Sequence, residues 1–257
     1  MGRNKLVSFD LKADFGFFKK PDINDIYLTY NMLHKPALLG ILGAIVGLQG
    51  FQENSILPVY YQKLKHLKVG ISPLNNLNGN FTKHFVKYTN TTGMASNEEG
   101  GNLIIEEQVL IKPEYRCYLL LNPEDELENS LYSNLKDYRA EFLPYMGKND
   151  FSAWWENFKE YESFEVFNFD KDYKIATLFR KEEAVSDYLV KAMGFAAMGK
   201  EPVSLYFEKL PVAYNETLYQ YKYADFVYSH GARFRKDMKI STGDFYTIGS
   251  DQVIQLL

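Results

Sequence analysis

The most uniform part of the hydrophobic pattern runs from Pro36 to Leu48, where every residue is apolar or glycine. Pro36 suits the first turn of a helix, because its missing N–H would have no partner there. The stretch is shorter than the about 20 apolar residues that span a bilayer, so it predicts a helix buried in a core. Gly40, Gly43 and Gly47 are spaced to share one helical face, which predicts that a sheet or another backbone packs closely against it.

Strand-like patterns surround this predicted helix. Residues 5–16 alternate loosely between apolar and polar side chains and predict a first strand. Residues 56–71 predict a helical turn that leads into a strand. Residues 103–111 and 115–121 predict two strands that pair with each other, because the break Lys112-Pro113-Glu114 separates them.

A second helix is predicted over residues 123–138. Leu127, Leu131 and Leu135 recur every four residues, and acidic residues occupy the first turn. The order strand, helix, strand, strand, helix is the opening of a βαββαβ ferredoxin-like unit, which RNA-recognition modules also use. Further along the chain, Asn149-Asp150 offers helix caps. The chain is therefore predicted to be α+β.

The stretch from residue 74 to 101 has a different composition, rich in Asn, Thr and Gly and poor in Leu. Such a stretch inside a compact domain is usually a functional excursion or a mobile loop. The run from Phe81 to Tyr88 allows a protruding hairpin, and a plain exposed hairpin with solvated lysines is the alternative. From Ser163 onward, aromatic strand-like runs alternate with loops and predict a β-rich region, with a helix or a partly disordered insertion over residues 185–198.

Composition and charge narrow the class of protein. The chain has 257 residues, enough for one large domain or for one domain and a smaller one. Its 46% hydrophobic content excludes a disordered chain. The 20 Tyr and 19 Phe suit base stacking, but an ordinary β-rich core explains them equally well. Residues 1–90 carry 11 Lys and Arg against 5 Asp and Glu, while the whole chain has a net charge of −4. This asymmetry indicates a local anion site or an uneven scatter of solvated charge.

Several kinds of chemistry are not indicated. Cys117 is the one cysteine, so no disulfide forms within the chain, and its apolar surroundings predict a buried thiol. The sequence has no Walker motif and no G-x-G-x-x-G at the strand–helix turn. The four histidines are dispersed, so we expect no metal and no other cofactor. The first ten residues have no apolar signal region, so we expect a cytoplasmic protein that does not contact a membrane.

Four short motifs occur in order along the chain at sensible spacing. The first comprises Phe9, Leu11, Thr29-Tyr30 and the run P-x-L-L-G-x-L-x-A-I-x-G from Pro36 to Gly47. The remaining three are E-Q-V-L-x-K-P-E-Y-R-C-Y at 107–118, P-Y-M-G at 144–147 and L-P-V at 210–212. Each motif alone is weak, but together they resemble the CRISPR-associated Cas-five family and are most similar to its type I-B branch. Lys112 stands where the family usually has Asn.

This resemblance implies both a fold and a role. The fold is a ferredoxin-like RAMP domain over residues 1–200 with a thumb hairpin inserted at about 74–102, and a small β-rich region over 201–257. The role is that of a non-catalytic subunit of a type I Cascade effector complex, which caps the five-prime handle of the crRNA in antiviral defence. The implied partners are the handle, the backbone subunit, the large PAM-sensing subunit and the target DNA within the complex.

Candidate RNA-binding residues follow from this role, because single-stranded RNA is held by cations, close backbone approach and aromatic stacking. No catalytic residue is assigned. The candidates for phosphate contact are Lys12, Lys19, Lys20, Lys35, Lys83 and Arg116; those for close backbone approach are Gly147 and Lys148; those for stacking are Tyr30, Phe85 and Tyr145. A second basic cluster, Arg233, Arg235, Lys236 and Lys239, contacts nucleic acid or an acidic partner, or is a solvated loop.

Two alternatives stay open. The type I-C branch cuts precursor crRNA with a Tyr, a Lys and a His and without metal, and this chain has Lys83, His84, Tyr60 and Tyr61. The protein would then be a metal-independent endoribonuclease. The other alternative is a relative in fold alone that binds protein and not RNA.

Overall fold

The computed structural model of the chain describes residues 4–21, 26–52, 56–76, 78–89, 104–181, 203–236, 240–241, 243–249 and 252–257. Over these residues the chain is α+β, with mostly antiparallel sheets and few helices. The helices are α1 (Lys35–Ile45), α2 (Val59–Leu64) and α3 (Glu126–Lys136). None of the helices in the described ranges is both long and apolar enough to cross a membrane.

The strands fall into four sheets. In chain order they are β1 (Lys5–Ala13), β2 (Phe15–Gly16), β3 (Lys68–Pro73), β4 (Lys83–Thr89), β5 (Ile104–Ile111), β6 (Glu114–Leu121), β7 (Ala153–Tyr161), β8 (Glu165–Val166), β9 (Lys174–Ile175), β10 (Phe179–Arg180), β11 (Ser204–Asn215), β12 (Gln220–His230), β13 (Asp244–Thr247) and β14 (Gln252–Leu256).

The first sheet has the order β3-β6-β1-β7, and every neighbouring pair is antiparallel. Along the chain, its strands and two of the helices follow one another as β1, α1, β3, β6, α3, β7. One face of β1 presents Val7, Phe9 and Leu11 to the main hydrophobic core, which also contains Leu38 of α1 and Leu131 of α3. The predicted first strand and both long helices are therefore confirmed.

The opposite face of the first sheet is covered at one end only. Leu6, Tyr118 and Leu120 form a second cluster with Ile254 and Leu256 of β14. This double coverage explains why apolar and polar residues alternate only loosely in β1, since side chains on both faces are buried at this end. The other end of the same face carries Lys12 and Arg116. We call this charged part of the first sheet the sheet face.

The predicted pairing of residues 103–111 with 115–121 is wrong. Both stretches contain strands, but β5 pairs with β4 and β2, whereas β6 pairs with β1 and β3. Lys112, between them, has a φ of 47°. This left-handed turn directs the chain out of one sheet and into the next instead of closing a hairpin.

The strands β4 and β5 form an antiparallel pair that we call the arm, with Lys83 opposite Leu110 and Thr89 opposite Ile104. Most of β4 is exposed. The chain between the two strands lies outside the described residues, so the thumb over residues 74–102 stays a prediction.

Close packing against the glycines of α1 is confirmed at one of the three positions. A Cβ added to Gly43 would lie 2.4 Å from the Cβ of Tyr60, so the first turn of α2 rests directly on the helix backbone. Gly47 was wrongly placed on the helix: it follows the C-cap Val46 and has a φ of 75°. The partner is thus a second helix.

The β-rich region after Ser163 is also confirmed. The short strands β8 and β9 pair with β13 and β14, and β10 pairs with β12. The helix expected after Asn149-Asp150 is absent, because β7 begins at Ala153. The predicted domain boundary at residue 200 and the predicted element over 185–198 lie outside the described residues. Cys117 is buried, and burial raises the pKa of its thiol.

Candidate nucleic-acid interface

A groove of about 520 Å³ runs beside α1; we call it the α1 groove. Its floor is formed by small residues on one helical face, Ala37, Gly40 and Ala44. The groove is also lined by Tyr60, Tyr214 and Tyr221, and by Phe142, Leu143, Tyr145 and Gly147. At these three floor positions, no side chain is larger than a methyl group. Aromatic side chains lie around them.

Gly147 allows the segment 142–147 to approach residue Phe17. The backbone N–H of Phe17 donates to the carbonyl oxygen of Met146 at 3.0 Å. A Cβ added to Gly147 would lie 1.9 Å from the carbonyl oxygen of Phe17, and Gly147 has a φ of 83°. Only glycine fits here, and the close approach places the half-exposed ring of Tyr145 in the groove lining.

Lys19 is the predicted phosphate-binding residue that lines this groove. Its side chain is exposed, and Nζ lies 3.5 Å from the centroid of the Tyr27 ring. Among the described residues, no carboxylate forms an ion pair with it. Within the described residues, the charge of Lys19 is therefore not neutralised by a carboxylate.

The tyrosines of the groove are neutral hydrogen-bonding groups. The rings of Tyr214 and Tyr221 are stacked with centroids 4.6 Å apart, and their hydroxyl oxygens are 3.0 Å apart. Burial raises the pKa of Tyr60 to about 12 and raises the pKa values of Tyr214 and Tyr221 as well. All three therefore keep their phenolic protons at neutral pH.

On the sheet face, the predicted cations are held by carboxylates. Arg116 donates from Nε and a terminal nitrogen to the two oxygens of the buried Asp10, at 2.7 and 2.9 Å. This hydrogen bonding raises the pKa of Arg116. Lys12 lies 3.0 Å from Glu114 and 2.9 Å from Glu156. Both cations are therefore already paired with carboxylates of this chain.

Lys20 and Lys83 lie beside another buried carboxylate. Glu208 accepts hydrogen bonds from the backbone N–H groups of Asn31 and Met32, both at 3.0 Å, and lies 3.6 Å from Lys20. Lys83 donates to Asn31 Oδ1 at 2.8 Å, and burial lowers its pKa. Glu208 thus joins the segment before α1 to β11, and Lys83 joins the same segment to β4.

The last two predicted cations are also engaged. Lys35 donates to the carbonyl oxygen of Leu257 at 2.9 Å, and burial lowers its pKa to about 8. Lys148 donates to the buried Glu107 at 2.7 Å and to the Tyr88 hydroxyl at 2.8 Å. Burial lowers the pKa of Lys148, but the bonds to Glu107 and Tyr88 outweigh it, so the net direction is upward. Lys148 thus joins the turn after Gly147 to the arm.

The predicted stacking residues lie in three different environments. Tyr145 is 42% exposed at the α1 groove, and Phe85 is 55% exposed on β4. Tyr30 is only 3% exposed, and its ring packs edge-on against His34. Its burial disfavours a stacking role.

Three of the eleven predicted residues, Lys19, Tyr145 and Gly147, are therefore brought together at one concave surface. Sequence reasoning did not select Tyr214, Tyr221 or His34, which line the same groove. The spacing of Ala37, Gly40 and Ala44 was the available signal, since small residues on one helical face leave room beside it.

The residues considered for ribonuclease chemistry are arranged differently. Lys83 and His84 are neighbours in β4, so their side chains project to opposite faces of the arm. Tyr61 is buried, and its hydroxyl oxygen accepts the backbone N–H of Tyr214 at 2.8 Å. Within the described ranges, no group of three or more His, Cys, Asp or Glu residues could hold a metal ion.

The second basic cluster is described only in part. Asp172 lies 4.0 Å from Arg233 and accepts the backbone N–H of Lys236 at 3.2 Å. Lys239 lies outside the described residues.

The sequence matches no family model, and no curated protein matches it. Solved structures do align. A chain of the type III-B Cmr-beta complex bound to cognate target RNA and AMPPnP aligns with a TM-score of 0.49 at 10% identity, covering 98% of this chain and 99% of that one. A chain of a CRISPR RNA-guided surveillance complex aligns at 0.48 and 9% identity, covering 92% and 93%. A crystallised Cas protein aligns at 0.35 and 14% identity, and this chain spans 57% of its length. At such identities and TM-scores, these alignments by themselves assign neither a family nor a function.

Proposed function

We propose that this protein is a non-catalytic, RNA-binding subunit of a CRISPR effector complex. In its finer form, the proposal makes it a Cas-five subunit of a type I-B Cascade that caps the five-prime handle of the crRNA. The partners are then the backbone subunit, the large PAM-sensing subunit and, within the assembled complex, the target DNA. The four sequence motifs support this assignment.

The strand order also supports the proposal. The first sheet and its two long helices follow one another as strand, helix, strand, strand, helix, strand, with both central strands antiparallel to their neighbours. That succession is the one expected of a ferredoxin-like RAMP domain. The exposed strand β4 falls within residues 74–102, to which the resemblance assigns a thumb, and this supports the proposal.

The α1 groove is the observation that carries the RNA-binding part of the proposal. It combines a cation without a carboxylate partner in the described chain, Lys19, with the exposed rings of Tyr145 and Phe51. Single-stranded nucleic acid is bound by this combination, because cations attract the phosphates and aromatic faces stack on unpaired bases. In a duplex the faces of the bases are stacked on one another, so they are not available to the aromatic rings of such a groove.

Fluorescence anisotropy with a labelled single-stranded RNA that carries the five-prime handle of the host's CRISPR repeat tests this proposal. We expect a dissociation constant that rises steeply with salt, as phosphate neutralisation requires. Lys19→Ala should weaken binding about fivefold and reduce the slope of log affinity against log salt by about 0.7. Tyr145→Ala should weaken binding about tenfold, since a stacked base contributes about 1–3 kcal/mol.

Matched control variants are available for both changes. Lys159 is also an exposed lysine over a tyrosine ring, at 4.6 Å from the centroid of Tyr161, but it does not line the groove. Phe207 is 51% exposed and likewise lies outside the groove lining. Lys159→Ala and Phe207→Ala should leave affinity unchanged. Wild-type affinity that does not depend on salt would contradict the proposal and favour a protein-binding relative.

The absence of catalysis is part of the proposal and has its own test. Purified protein is incubated with labelled precursor crRNA in EDTA and the products are separated on a denaturing gel. We expect intact precursor, because the amine of Lys83 is held by Asn31 and the side chain of His84 projects to the other face of the arm. A discrete cut within the repeat that His84→Ala abolishes would instead establish a metal-independent endoribonuclease.

A further inference from the structure

His34 occupies an unusual position at the α1 groove. It is the N-cap residue of α1, and its Nδ1 accepts the backbone N–H of Ala37 at 3.3 Å. The side chain lines the groove, yet the residue is only 5% exposed. Its imidazole lies among aromatic rings, with centroids 5.8 Å from Phe18 and 5.8 Å from Tyr221.

The hydrogen bond to Ala37 determines which ring nitrogen carries the proton. Since Nδ1 accepts, the neutral imidazole holds its proton on Nε2. Burial lowers the pKa of His34 to about 3, so the ring is neutral at physiological pH. Nε2 has no hydrogen-bond partner among the described residues. The imidazole therefore presents a single, fixed N–H donor beside the groove floor.

Nε2 is not one of the fully buried unpaired side-chain atoms of the described residues, so it is open to the groove, where a ligand acceptor can complete its hydrogen bond. At about 520 Å³ the groove has room for a planar ring beside Ala37, and the aromatic side chains supply faces for stacking. Lys19 supplies positive charge at the same groove. A flat heterocycle with an acceptor edge and an attached phosphate satisfies all three features.

We propose that His34 Nε2–H donates a hydrogen bond to the acceptor edge of one unpaired nucleobase that inserts into the α1 groove. His34 is thereby a specificity-determining residue of the RNA site. The inference rests on the proposed function, since the base belongs to the RNA that Lys19 and Tyr145 bind.

An abasic scan of the handle RNA tests the inference. Each nucleotide in turn is replaced by an abasic one, and the dissociation constant is measured by anisotropy. For the wild-type protein we expect one position, or two adjacent ones, at which loss of the base weakens binding at least about fivefold. His34→Asn should bring the affinity for intact RNA down to that for the abasic RNA at that position, without a change in the salt slope.

His34→Asn is chosen because asparagine is a favourable N-cap, so α1 should keep its cap while the Nε2–H donor is lost. Its thermal midpoint is compared with that of the wild type. Ala37→Leu, which leaves His34 intact and fills the floor of the groove, provides a second route and should likewise abolish the effect of the abasic position.

Each contrary outcome is distinct. If wild-type protein binds the handle RNA with salt dependence but equally well at every abasic position, the inserted base is refuted and the proposed function stands. If the abasic effect survives both His34→Asn and Ala37→Leu, the base binds elsewhere. If Ala37→Leu prevents assembly with the protein subunits and leaves RNA affinity unchanged, the groove binds a protein. If the wild type binds no RNA, both proposals fail.

Discussion

The α1 groove and the sheet face both contain cations that the sequence predicts to contact phosphate, but their surroundings differ. On the sheet face, Arg116 and Lys12 are paired with Asp10, Glu114 and Glu156. At the groove, Lys19 contacts a tyrosine ring and no carboxylate in the described chain. The residue type alone therefore does not identify an anion site; the charge balance within a few ångströms does.

The two regions also differ in what a substitution should disturb. A cation that is paired with a buried carboxylate stabilises the fold, because its removal leaves a buried charge uncompensated. An exposed cation with no carboxylate partner contributes little to folding and is available for binding. Variants in each region should therefore separate folding stability from RNA affinity.

The largest effect is expected from breaking the groove itself at Gly147. Gly147→Ala should lower the free energy of unfolding by about 3 kcal/mol, since it combines a left-handed backbone with a collision against the Phe17 carbonyl. Urea denaturation measures the loss. Gly50→Ala is the control, because nothing lies within 4 Å of an added Cβ there. Equal denaturation midpoints for the two variants would show that the close contact between Gly147 and the Phe17 carbonyl does not contribute to stability.

Arg116→Ala removes the cation that is paired with Asp10 on the sheet face. It should lower the free energy of unfolding by about 2 kcal/mol, because Asp10 remains buried and keeps only the 2.9 Å bond from Asn157 Nδ2. Lys68→Ala, which removes a lysine from an exposed pair with Asp244, should change stability by less than about 0.5 kcal/mol. RNA affinity of the folded Arg116 variant should match the wild type; a loss of salt-dependent affinity would move the RNA site to the sheet face.

A pair of glycine variants tests the contact between α1 and Tyr60 of α2. Gly43→Ala should destabilise the protein by about 2 kcal/mol, since the new methyl group would collide with Tyr60. Gly40→Ala places its methyl group at an ordinary 3.5 Å from the same ring and should gain up to about 1 kcal/mol of helix propensity. Chemical denaturation of both variants gives the comparison. Similar midpoints would mean that Tyr60 of α2 does not pack tightly against Gly43 of α1.

The smallest effect is expected for the pH dependence of the unfolding free energy that His34 causes at the groove. The pKa of His34 is lowered in the folded state, so the unfolded chain binds more protons between pH 6.5 and about 3. Its contribution to stability is therefore complete above pH 6.5 and is lost as the pH falls, by about 1.4 kcal/mol per unit. The difference in unfolding free energy between wild type and His34→Asn should shrink accordingly from pH 6 to 5. A constant difference would place His34 in a hydrated site.

Much of the fold could be predicted from local pattern, because α1 has an uninterrupted apolar run, α3 has Leu at every fourth position and β1 has a loose alternation of apolar and polar residues. The pairing of β5 and β6 could not, since a Lys-Pro-Glu break resembles a tight turn and the left-handed φ of Lys112 depends on the two sheets that it joins. At the candidate site, Gly147 was predicted from its motif. The ion pairs of Lys12, Lys148 and Arg116 depend on carboxylates that are distant in sequence, which a single chain without its fold does not reveal.

The return of β14 to the first sheet has a consequence for how the protein is made. Leu257 and Val69 exchange backbone hydrogen bonds at 2.8 and 3.2 Å, and Ile254 and Leu256 cover Leu6 and Tyr118. These contacts join residues that are far apart in sequence, so the first sheet lacks its cover until the chain has been extended to β14. Contacts of such long range slow folding, and one face of the first sheet stays open to aggregation until β14 packs on it.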